Sequence, residues 1–282
     1  MRKYLLLAAF VCLASCGTVK STQFSGSQPA ELKVISYNVR YSKAKDGDNS
    51  WQYRRPATIA MLQEQRPDIF GVQEAYPEQL DFICENMPVY KCVGVGRDDG
   101  VDKGEHMSIF YDTTRVAMID WGTYWLSETP TVPSFGWGAS HRRTATWAKL
   151  KMIASGKEFF YVNTHLDHKI SLARKNGLAL IVSEIGKMNP KGLPMILTGD
   201  FNIPPSSDNL TDLDGIMRSA RIYAETKDGR GSFNGWGKRD DVIDYIYYSK
   251  FSKCLKFNVL DKKYVGVPYI SDHYPIAAVL QF

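Results

Sequence analysis

The sequence has few cysteines, no long run of basic residues and no hydrophobic run long enough to cross a membrane. Its five cysteines among 282 residues include no CxxC pair, which argues against a disulfide-rich small domain and gives no sign of a zinc site. Thirty-five lysines and arginines face 30 acidic residues without a basic run of five or more, so the net charge of +5 does not indicate binding along duplex DNA. With 44% hydrophobic and 12% aromatic residues, the composition is that of a folded globular protein.

The N-terminus is typical of a secretory leader. Arg2 and Lys3 precede an apolar stretch over 4–14, which is shorter than the roughly 20 residues that a membrane-spanning helix needs. The stretch ends in Leu13-Ala14-Ser15-Cys16, which resembles the lipobox of bacterial lipoproteins, where the cysteine is acylated and becomes the first mature residue. The pattern leaves two alternatives open, a plain secretory leader cut nearby and a buried apolar helix.

These features predict three segments. We expect a lipoprotein leader over 1–15, a flexible tether rich in small polar residues over 16–30, and one folded domain over 31–282. A lipid on Cys16 would anchor the protein to a membrane of the cell envelope, with the domain in water on the periplasmic or outer side. We further expect the protein to be a monomer.

Three cysteines, Cys84, Cys92 and Cys254, lie in the predicted domain. An envelope location would permit a disulfide between Cys84 and Cys92. The odd number gives no complete disulfide framework, however, and this favours free buried thiols.

The hydrophobic pattern predicts short strands that alternate with loops and a few helices. The predicted strands cover 32–39, 67–74, 108–111, 143–152, 159–163, 195–198, 242–248 and 275–280, and the predicted helices cover 54–65, 76–86 and 172–187. Polar residues that a core does not need stand at or near the ends of these strands, namely Asn38, Glu74, His165, Asp200, Asn202, Asp244, Asp272 and His273. Unpaired carboxylates are rarely buried, so bringing several together requires a cation or a set of hydrogen-bond donors.

Two of these polar clusters suggest catalysis. Asp200 and Asn202 are two residues apart after an apolar run, so both side chains leave an extended chain on the same side and can orient a phosphate, a water or a metal. An ordinary turn is the alternative for this pair. His273 precedes the last strand, and a carboxylate such as Asp244 would orient it as a general base that takes a proton from water, although a lone histidine is more often structural.

Glu74 and Asn38 end the first two predicted strands. Mg²⁺ keeps several waters and binds one or two carboxylates plus phosphate oxygens, so one glutamate with few other protein ligands is typical of a magnesium site. Alternatively, Glu74 is a favourable negative charge ahead of the helix predicted at 76–86.

Together these segments form an ordered series of motifs: Ser-Tyr-Asn-Val at 36–39, Gln-Glu at 73–74, Asn-Thr-His at 163–165, Gly-Asp-Phe-Asn at 199–202, Ile-Asp-Tyr at 243–245 and Ser-Asp-His-Tyr-Pro at 271–275. The series resembles the endonuclease/exonuclease/phosphatase superfamily over about 32–282. The resemblance implies a four-layer α/β/β/α sandwich with two mostly antiparallel central sheets. It also implies a phosphoester-hydrolysing site at one edge of the sheets that uses Mg²⁺ or Mn²⁺.

The resemblance further implies roles for the catalytic residues. His273, oriented by Asp244, would activate the attacking water. Asp200 and Asn202 would position the nucleophile and the phosphoryl group, and His165 would donate to a phosphate oxygen as negative charge grows on it.

By the same resemblance, Glu74 and Asn38 would hold the metal, with Asp272 close to it. A narrower likeness to the deadenylase-like branch and its bacterial relatives is carried by 97–100, 104–106, 125–130 and 142–143. Glu105 in this set would assist the metal site, or would be a surface glutamate.

In the same branch motifs, Arg97 and Arg143 would face a substrate phosphate. For Arg143, which opens a predicted strand, the alternative is a solvated strand residue.

The leading functional hypothesis is a metal-dependent phosphoesterase that hydrolyses a phosphodiester of a nucleic acid, a nucleotide or a small molecule outside the cytoplasm. A phosphomonoesterase acting on sugar or inositol phosphates is the second hypothesis. The third, of a different class, is a binding protein that kept the fold and lost the chemistry. The intact set of carboxylates and histidines argues against this third hypothesis.

Overall fold

The computed structural model describes residues 30–282. The predicted leader over 1–15, Cys16 and the tether up to residue 29 lie outside the described residues. None of the helices between residues 30 and 282 is long and apolar enough to cross a membrane.

Within residues 30–282, thirteen strands and five α-helices follow one another along the chain. The strands are β1 (Glu31–Asn38), β2 (Ile69–Gln73), β3 (Tyr90–Val93), β4 (Ile109–Asp112), β5 (Val116–Trp125), β6 (Thr144–Met152), β7 (Glu158–His165), β8 (Met195–Asp200), β9 (Arg218–Ser219), β10 (Thr226–Lys227), β11 (Asp244–Ser249), β12 (Lys253–Val259) and β13 (Ile276–Gln281). The helices are α1 (Trp51–Gln65), α2 (Pro77–Asn86), α3 (Ser171–Met188), α4 (Thr211–Asp214) and α5 (Ala220–Tyr223).

The strands form two sheets. One sheet has seven strands in the order β10-β12-β13-β1-β2-β4-β3, and the other has six in the order β5-β6-β7-β8-β11-β9. Among the described residues, the pairs β1–β2, β10–β12 and β7–β8 are parallel and the remaining pairs are antiparallel. Both sheets are therefore mostly antiparallel, as the motif series implied.

The two sheets pack face to face, and helices cover their outer sides. Leu32 of the seven-stranded sheet shares an apolar cluster with Leu150 of the six-stranded sheet. Met61 of α1 packs on the outer face of the first sheet, and Ile181 of α3 packs on the outer face of the second. A central strand such as β1 is consequently buried on both faces, which explains its nearly continuous apolar sequence. The predicted four-layer α/β/β/α sandwich is confirmed.

Every predicted strand and helix is present, with ends shifted by three residues at most. The longer elements that the hydrophobic pattern did not identify are β3, β5 and β12. β5 is half-buried or exposed over 117–123 and contains a bulge between Met118 and Asp120, so its apolar residues do not alternate regularly. Such a strand depends on its partner β6 more than on its own sequence.

A buried amide joins the two sheets directly beneath the strand ends. The side chain of Asn163 in β7 donates from Nδ2 to the carbonyl oxygen of Val72, in β2 of the other sheet, at 2.8 Å and to that of Ser108, immediately before β4, at 3.1 Å. Its Oδ1 accepts from Gln73 Nε2 at 2.7 Å and from Thr198 Oγ1 at 3.1 Å. The amide is thus fully hydrogen-bonded without water, and it fixes the position of one sheet against the other.

We expect Asn163→Ala to lower the free energy of unfolding by about 2–4 kcal/mol, because it leaves buried groups of Val72, Gln73 and Ser108 without their partner. Asn86→Ala is the matched control, since Asn86 is exposed, and should cost less than about 1 kcal/mol. Urea titrations followed by circular dichroism measure both changes. Equal losses in the two variants would contradict a special role for the buried amide.

Candidate active site

The register of the six-stranded sheet brings three predicted site residues together. The parallel pairing of β7 with β8 places His165 beside Asp200, and the antiparallel pairing of β11 with β8 places Asp244 opposite Asp200. Asn38 ends β1 of the other sheet, and its Nδ2 donates to Asp200 Oδ2 at 3.0 Å. Residues up to about 200 positions apart in the sequence therefore meet at one edge of the sandwich.

A cavity of about 560 Å³ opens at this edge. Its wall contains nine of the predicted site residues in addition to aromatic and basic side chains: Arg40, Tyr41, Glu74, Tyr76, Arg97, Glu105, His141, Arg143, His165, His168, Asp200, Asn202, Phe233, Ile243, Asp272 and His273. The other two predicted residues, Asn38 and Asp244, lie behind the wall and hydrogen-bond to residues that form it.

His273 is held between two carboxylates. Its Nδ1 donates to Asp244 Oδ2 at 2.8 Å, which leaves Nε2 3.7 Å from Asp200 Oδ2. Burial alone would lower the pKa of His273, but the charges of Asp244 and Asp200 outweigh burial and raise it to about 10. Burial and the charge of Asp244 raise the pKa of Asp200 to about 7. The two carboxylates therefore favour the protonated form of the imidazole.

His165 has the opposite electrostatic environment. Burial and the neighbouring charges of Arg143 and Arg97 hold the pKa of His165 well below its usual value, so the ring is neutral. Asn202 Nδ2 lies 3.1 Å from His165 Nε2 and also donates to Leu166 O at 3.2 Å. Since the amide donates, Nε2 accepts and the ring proton is on Nδ1, which is buried without a hydrogen-bond partner.

Asp200 and Asn202 form a turn and also line the cavity, so the two alternatives for this pair are both present. The backbone N–H of Asn202 donates to Asp200 Oδ1 at 2.9 Å, which is a side-chain turn, and both residues also lie on the cavity wall. Asn202, Glu74 and Arg40 have positive φ angles of 51°, 63° and 56°. Non-glycine residues in this region are strained and concentrate at functional sites.

The carboxylates of Glu74 and Asp272 suit a divalent cation. Glu74 Oε1 accepts from Asn38 Nδ2 at 3.1 Å and Oε2 accepts from the backbone of Tyr41 at 3.1 Å, which fixes the carboxylate on the cavity wall. Burial and the charge of Glu74 raise the pKa of Asp272 despite Arg40, whose Nη1 is 3.5 Å away. Such mutual repulsion is relieved by a bound cation, and hard oxygen donors are what Mg²⁺ and Mn²⁺ prefer.

Asn38 lies next to Glu74, and its role as a metal ligand stays a prediction. Its Oδ1 accepts from the backbone N–H of Arg40 at 3.0 Å, while its Nδ2 faces Glu74 and Asp200. In this arrangement Nδ2 orients two carboxylates, and Oδ1 accepts one hydrogen bond and keeps a second lone pair for a cation.

Asp200, Asp244 and His273 also have oxygen and nitrogen atoms within 4.8 Å of one another, close enough to share a metal ion. A metal ligated by His273 through Nδ1 would have to break its hydrogen bond to Asp244. The group is better described as a hydrogen-bonded base and its orienting carboxylate.

Two buried arginines complete the wall. Arg97 Nη1 donates to Glu105 Oε2 at 2.5 Å, and Arg143 contacts His168 Nδ1 at 3.1 Å and Asp167 Oδ2 at 3.6 Å. Both arginines and Glu105 are at most 9% exposed, so the alternatives of a solvated Arg143 and a surface Glu105 are wrong. Burial and the charge of Glu74 raise the pKa of Glu105 to about 7 in spite of Arg97.

Sequence reasoning did not identify several residues of this site. Arg40 and Tyr41 follow the motif at 36–39, and Asp167 and His168 follow the motif at 163–165, so their only signal was the nearness of a motif. His141 stacks on His168 with ring centroids 5.7 Å apart, and no pattern in the sequence indicates this contact.

A fold of two helix-covered sheets with clustered carboxylates, histidines and arginines at one edge defines a class of phosphoester hydrolases. The chain belongs to the endonuclease/exonuclease/phosphatase family, whose model matches residues 35–273. The resemblance found in the motif series is thereby confirmed.

Three similar proteins extend the comparison. A family protein from Bacteroides thetaiotaomicron is 35% identical, covers 90% of this chain and 98% of its own, and superposes with a TM-score of 0.86. A mannosyl-6-phosphatase from the same species is 35% identical, covers 89% of this chain and 100% of its own, and has a TM-score of 0.85. An uncharacterized protein of Acanthamoeba polyphaga mimivirus is 25% identical over 89% of this chain and 100% of its own length.

The loop that carries His168 depends on Asp167, and this predicts a pH effect on stability. Burial alone would raise the pKa of Asp167, but hydrogen bonds from Ile170 N, Ser140 Oγ and Lys169 N, with the charge of Arg143, lower it. A carboxyl with a lowered pKa stabilises the fold fully above its unfolded-state value of 3.8 and loses this contribution as the pH falls through the folded-state value.

We therefore expect Asp167→Asn to lower the free energy of unfolding by about 1–3 kcal/mol at pH 7, and the difference from wild type to narrow at pH 3. Urea unfolding at both pH values measures it, with Asp212→Asn at an exposed position as the control. A difference that stays constant or widens on acidification would contradict the ionised form of Asp167 in the fold.

Proposed function

We propose that this chain is a divalent-metal-dependent phosphatase that hydrolyses a phosphomonoester of a sugar. The observation that carries the proposal is a group of buried nitrogen atoms on cavity residues that have no hydrogen-bond partner: Arg97 Nε, Arg143 Nη1 and His165 Nδ1, together with Arg143 Nε, which has only an ion-pair contact of 3.6 Å with Asp167 Oδ2. Each unsatisfied buried donor costs about 1–3 kcal/mol. The oxygens of a phosphoryl group would satisfy several of them at once, and guanidinium groups match the geometry of phosphate oxygens.

The charge of the site favours a monoester over a diester. A phosphomonoester carries about −1.5 to −2 charges near pH 7, whereas a diester carries one. The two buried guanidinium groups of Arg97 and Arg143 favour the more highly charged anion. The phosphodiester that the sequence first indicated remains the competing substrate class.

Similarity supports the sugar. The mannosyl-6-phosphatase is 35% identical, this chain covers 100% of its length and the TM-score is 0.85, which supports a related substrate. Tyr41, Tyr76 and Phe233 lie on the cavity wall, and the rings of Tyr41 and Tyr76 are 6.4 Å apart at an angle of 43°. Aromatic faces beside a few polar groups are what a small polar ring with apolar C–H faces needs for binding.

We propose that His273 is the general base that accepts the proton of the attacking water. Its Nδ1–H donates to Asp244, so Nε2 is the atom available to the cavity, and Asp200 is next to it. The high pKa of His273 reflects the surrounding carboxylates, so any positive charge that these carboxylates bind lowers this pKa and leaves Nε2 free to accept a proton. His165 Nδ1–H and the two arginines would donate to the phosphoryl oxygens as their negative charge grows.

Glu74 and Asp272 would hold the metal, for which Mg²⁺ or Mn²⁺ fits the oxygen donors. When bound, it supplies Lewis-acid polarisation of the phosphoryl group. Glu105, in hydrogen-bond contact with Arg97, would keep that guanidinium fixed beside the phosphate rather than ligate the metal.

We further propose that the protein acts as a monomer on the cell envelope, attached by a lipid on Cys16. Support comes from the order of basic, apolar and small residues at the N-terminus. A phosphatase anchored in this way would reach sugar phosphates outside the cytoplasm.

A substrate panel tests the proposed reaction. We expect the protein to hydrolyse mannose 6-phosphate and glucose 6-phosphate in Mg²⁺ or Mn²⁺ and to lose this activity in EDTA. For bis-p-nitrophenyl phosphate and short oligonucleotides, we expect kcat/KM to be on the order of tenfold or more lower than for the sugar phosphates. Phosphate release measures the monoesters, and absorbance and chromatography measure the diesters. Faster diester hydrolysis would reverse the substrate assignment, and no metal-dependent turnover of any phosphoester would favour the inactive binding protein.

Two variants separate the proposed base from the proposed metal ligand. We expect His273→Ala to lower kcat by about 10²–10⁴ with metal affinity nearly unchanged, because it removes the proton acceptor. Glu74→Gln should instead raise the metal concentration needed for half-maximal activity about tenfold or more. Steady-state kinetics and calorimetric metal titration measure the two effects.

The controls are His106→Gln, at a buried histidine outside the cavity wall, and Glu78→Gln, at an exposed glutamate of α2. Near-normal kcat in His273→Ala would remove this residue as the base. Unchanged metal affinity in Glu74→Gln would move the metal site away from Glu74.

A further inference from the structure

Two of the three cysteines in the described part of the chain are in contact with each other. Cys84 lies in the last turn of α2 and Cys92 lies in β3, and their Sγ atoms are 3.7 Å apart. Both thiols are free and partly exposed, whereas Cys254 is 1% exposed in the core. The three thiols in the described part of the chain are free, as expected, but of these three only Cys254 is buried.

We propose that Cys84 and Cys92 form a reversible disulfide that fastens helix α2 to the edge of the seven-stranded sheet. A disulfide has an S–S bond of about 2.05 Å, so the sulfurs must approach by roughly 1.6 Å, a distance within the range of side-chain rotation. Both residues are partly exposed, so an oxidant can reach them.

The oxidant is a second disulfide, such as that of a dithiol oxidoreductase or oxidised glutathione. The thiolate of one cysteine attacks a sulfur of the oxidant, whose S–S bond breaks and releases one thiolate. The second cysteine then loses its proton and attacks the mixed disulfide, which forms the Cys84–Cys92 bond and releases the other thiolate. Two electrons and two protons leave the cysteines, and the oxidant becomes two thiols.

The electrostatics identify the first nucleophile. The hydrogen bond from Cys92 lowers the pKa of Cys84, although Asp81 and Glu85 oppose this. The same contact, with burial, raises the pKa of Cys92. Cys84 is therefore the thiol that ionises first, and the thiolate is the attacking form.

The position of the pair gives the bond a structural consequence. β3 is the edge strand of its sheet and pairs only with β4 among the described strands. On the same helix as Cys84, the buried Gln79 accepts from the backbone N–H groups of Ser42 and Tyr76 and donates to Arg40 O. A covalent bond between α2 and β3 would thus secure the helix that supports one side of the cavity without entering the cavity.

The test uses the purified full chain in glutathione buffers of graded redox ratio. Free thiols are blocked by alkylation and the digest is analysed by mass spectrometry, so that Cys12, Cys16 and Cys254 do not confuse the result. We expect a Cys84–Cys92 linked peptide in wild type and Cys254→Ser, and none in Cys84→Ser or Cys92→Ser. Oxidised wild type should unfold roughly 3–8 °C above the reduced protein and return to the lower value with reductant.

Comparing oxidised with reduced wild type keeps the test valid even where a serine variant folds poorly. Any phosphatase activity should be equal in the two forms at 25 °C and should persist to a higher temperature in the oxidised form. Full alkylation of both cysteines in the most oxidising buffer would overturn the proposal. A linkage to Cys254 or between two molecules would overturn it as well, and a linked pair with an unchanged Tm would overturn its stabilising role. None of these outcomes depends on the substrate of the cavity.

Discussion

The buried side-chain amide of Asn163 fixes the position of one sheet against the other, and the geometry of the candidate site depends on it. Two sheets that meet through apolar residues can slide, because hydrophobic contact is not directional. Asn163 adds direction, since its four hydrogen bonds reach Val72 and Gln73 of the seven-stranded sheet, Ser108 immediately before β4 of that sheet, and Thr198 of the six-stranded sheet. Gly71 is required beside it, because a Cβ there would lie 2.5 Å from the Asn163 amide. Because Asn38 and Asp200 come from different sheets, the distance between them depends on these hydrogen bonds of Asn163.

Arg54 provides a second constraint, on the loops rather than the sheets. Its guanidinium is 1% exposed and donates to the carbonyl oxygens of Val39, Arg40 and Ile270, each next to a segment that carries site residues. The rings of Trp51 and Trp236 lie 5.5 Å from it. Buried charge is costly unless fully hydrogen-bonded, and here the hydrogen bonds join the loop after β1 to the loop before His273. Two loops that carry candidate site residues are thus held by one side chain.

Much of the fold and the site could be predicted because the relevant residues stand at the ends of regular apolar strands. Asp200, Asp244 and His165 could be placed in this way, since strand register alone brings them together. The environment of Arg143 could not be predicted, because its burial depends on the loop at Asp167 and on Glu105 from a distant segment. The orientation of Asn38 escaped for a similar reason: a sequence shows that an amide is present, but the neighbours decide which of its atoms faces the cavity.

The charges of the cavity explain why this architecture suits phosphoester chemistry. Burial and the charge of Glu74 raise the pKa values of Asp200 and Asp272 on one side, while burial and the charge of Arg97 lower the pKa of Arg143 on the other side. Moving these groups apart would relieve both repulsions, but the strand ends and the Asn163 and Arg54 contacts hold them in place. A ligand with an anionic phosphoryl group, bound next to a cation, would relieve the repulsion among these like charges, and that relief would favour binding. A site of this kind binds the phosphoryl group and the cation most tightly when both are present. Its affinity is greatest when negative charge on the phosphoryl oxygens is greatest, as it is during attack by water.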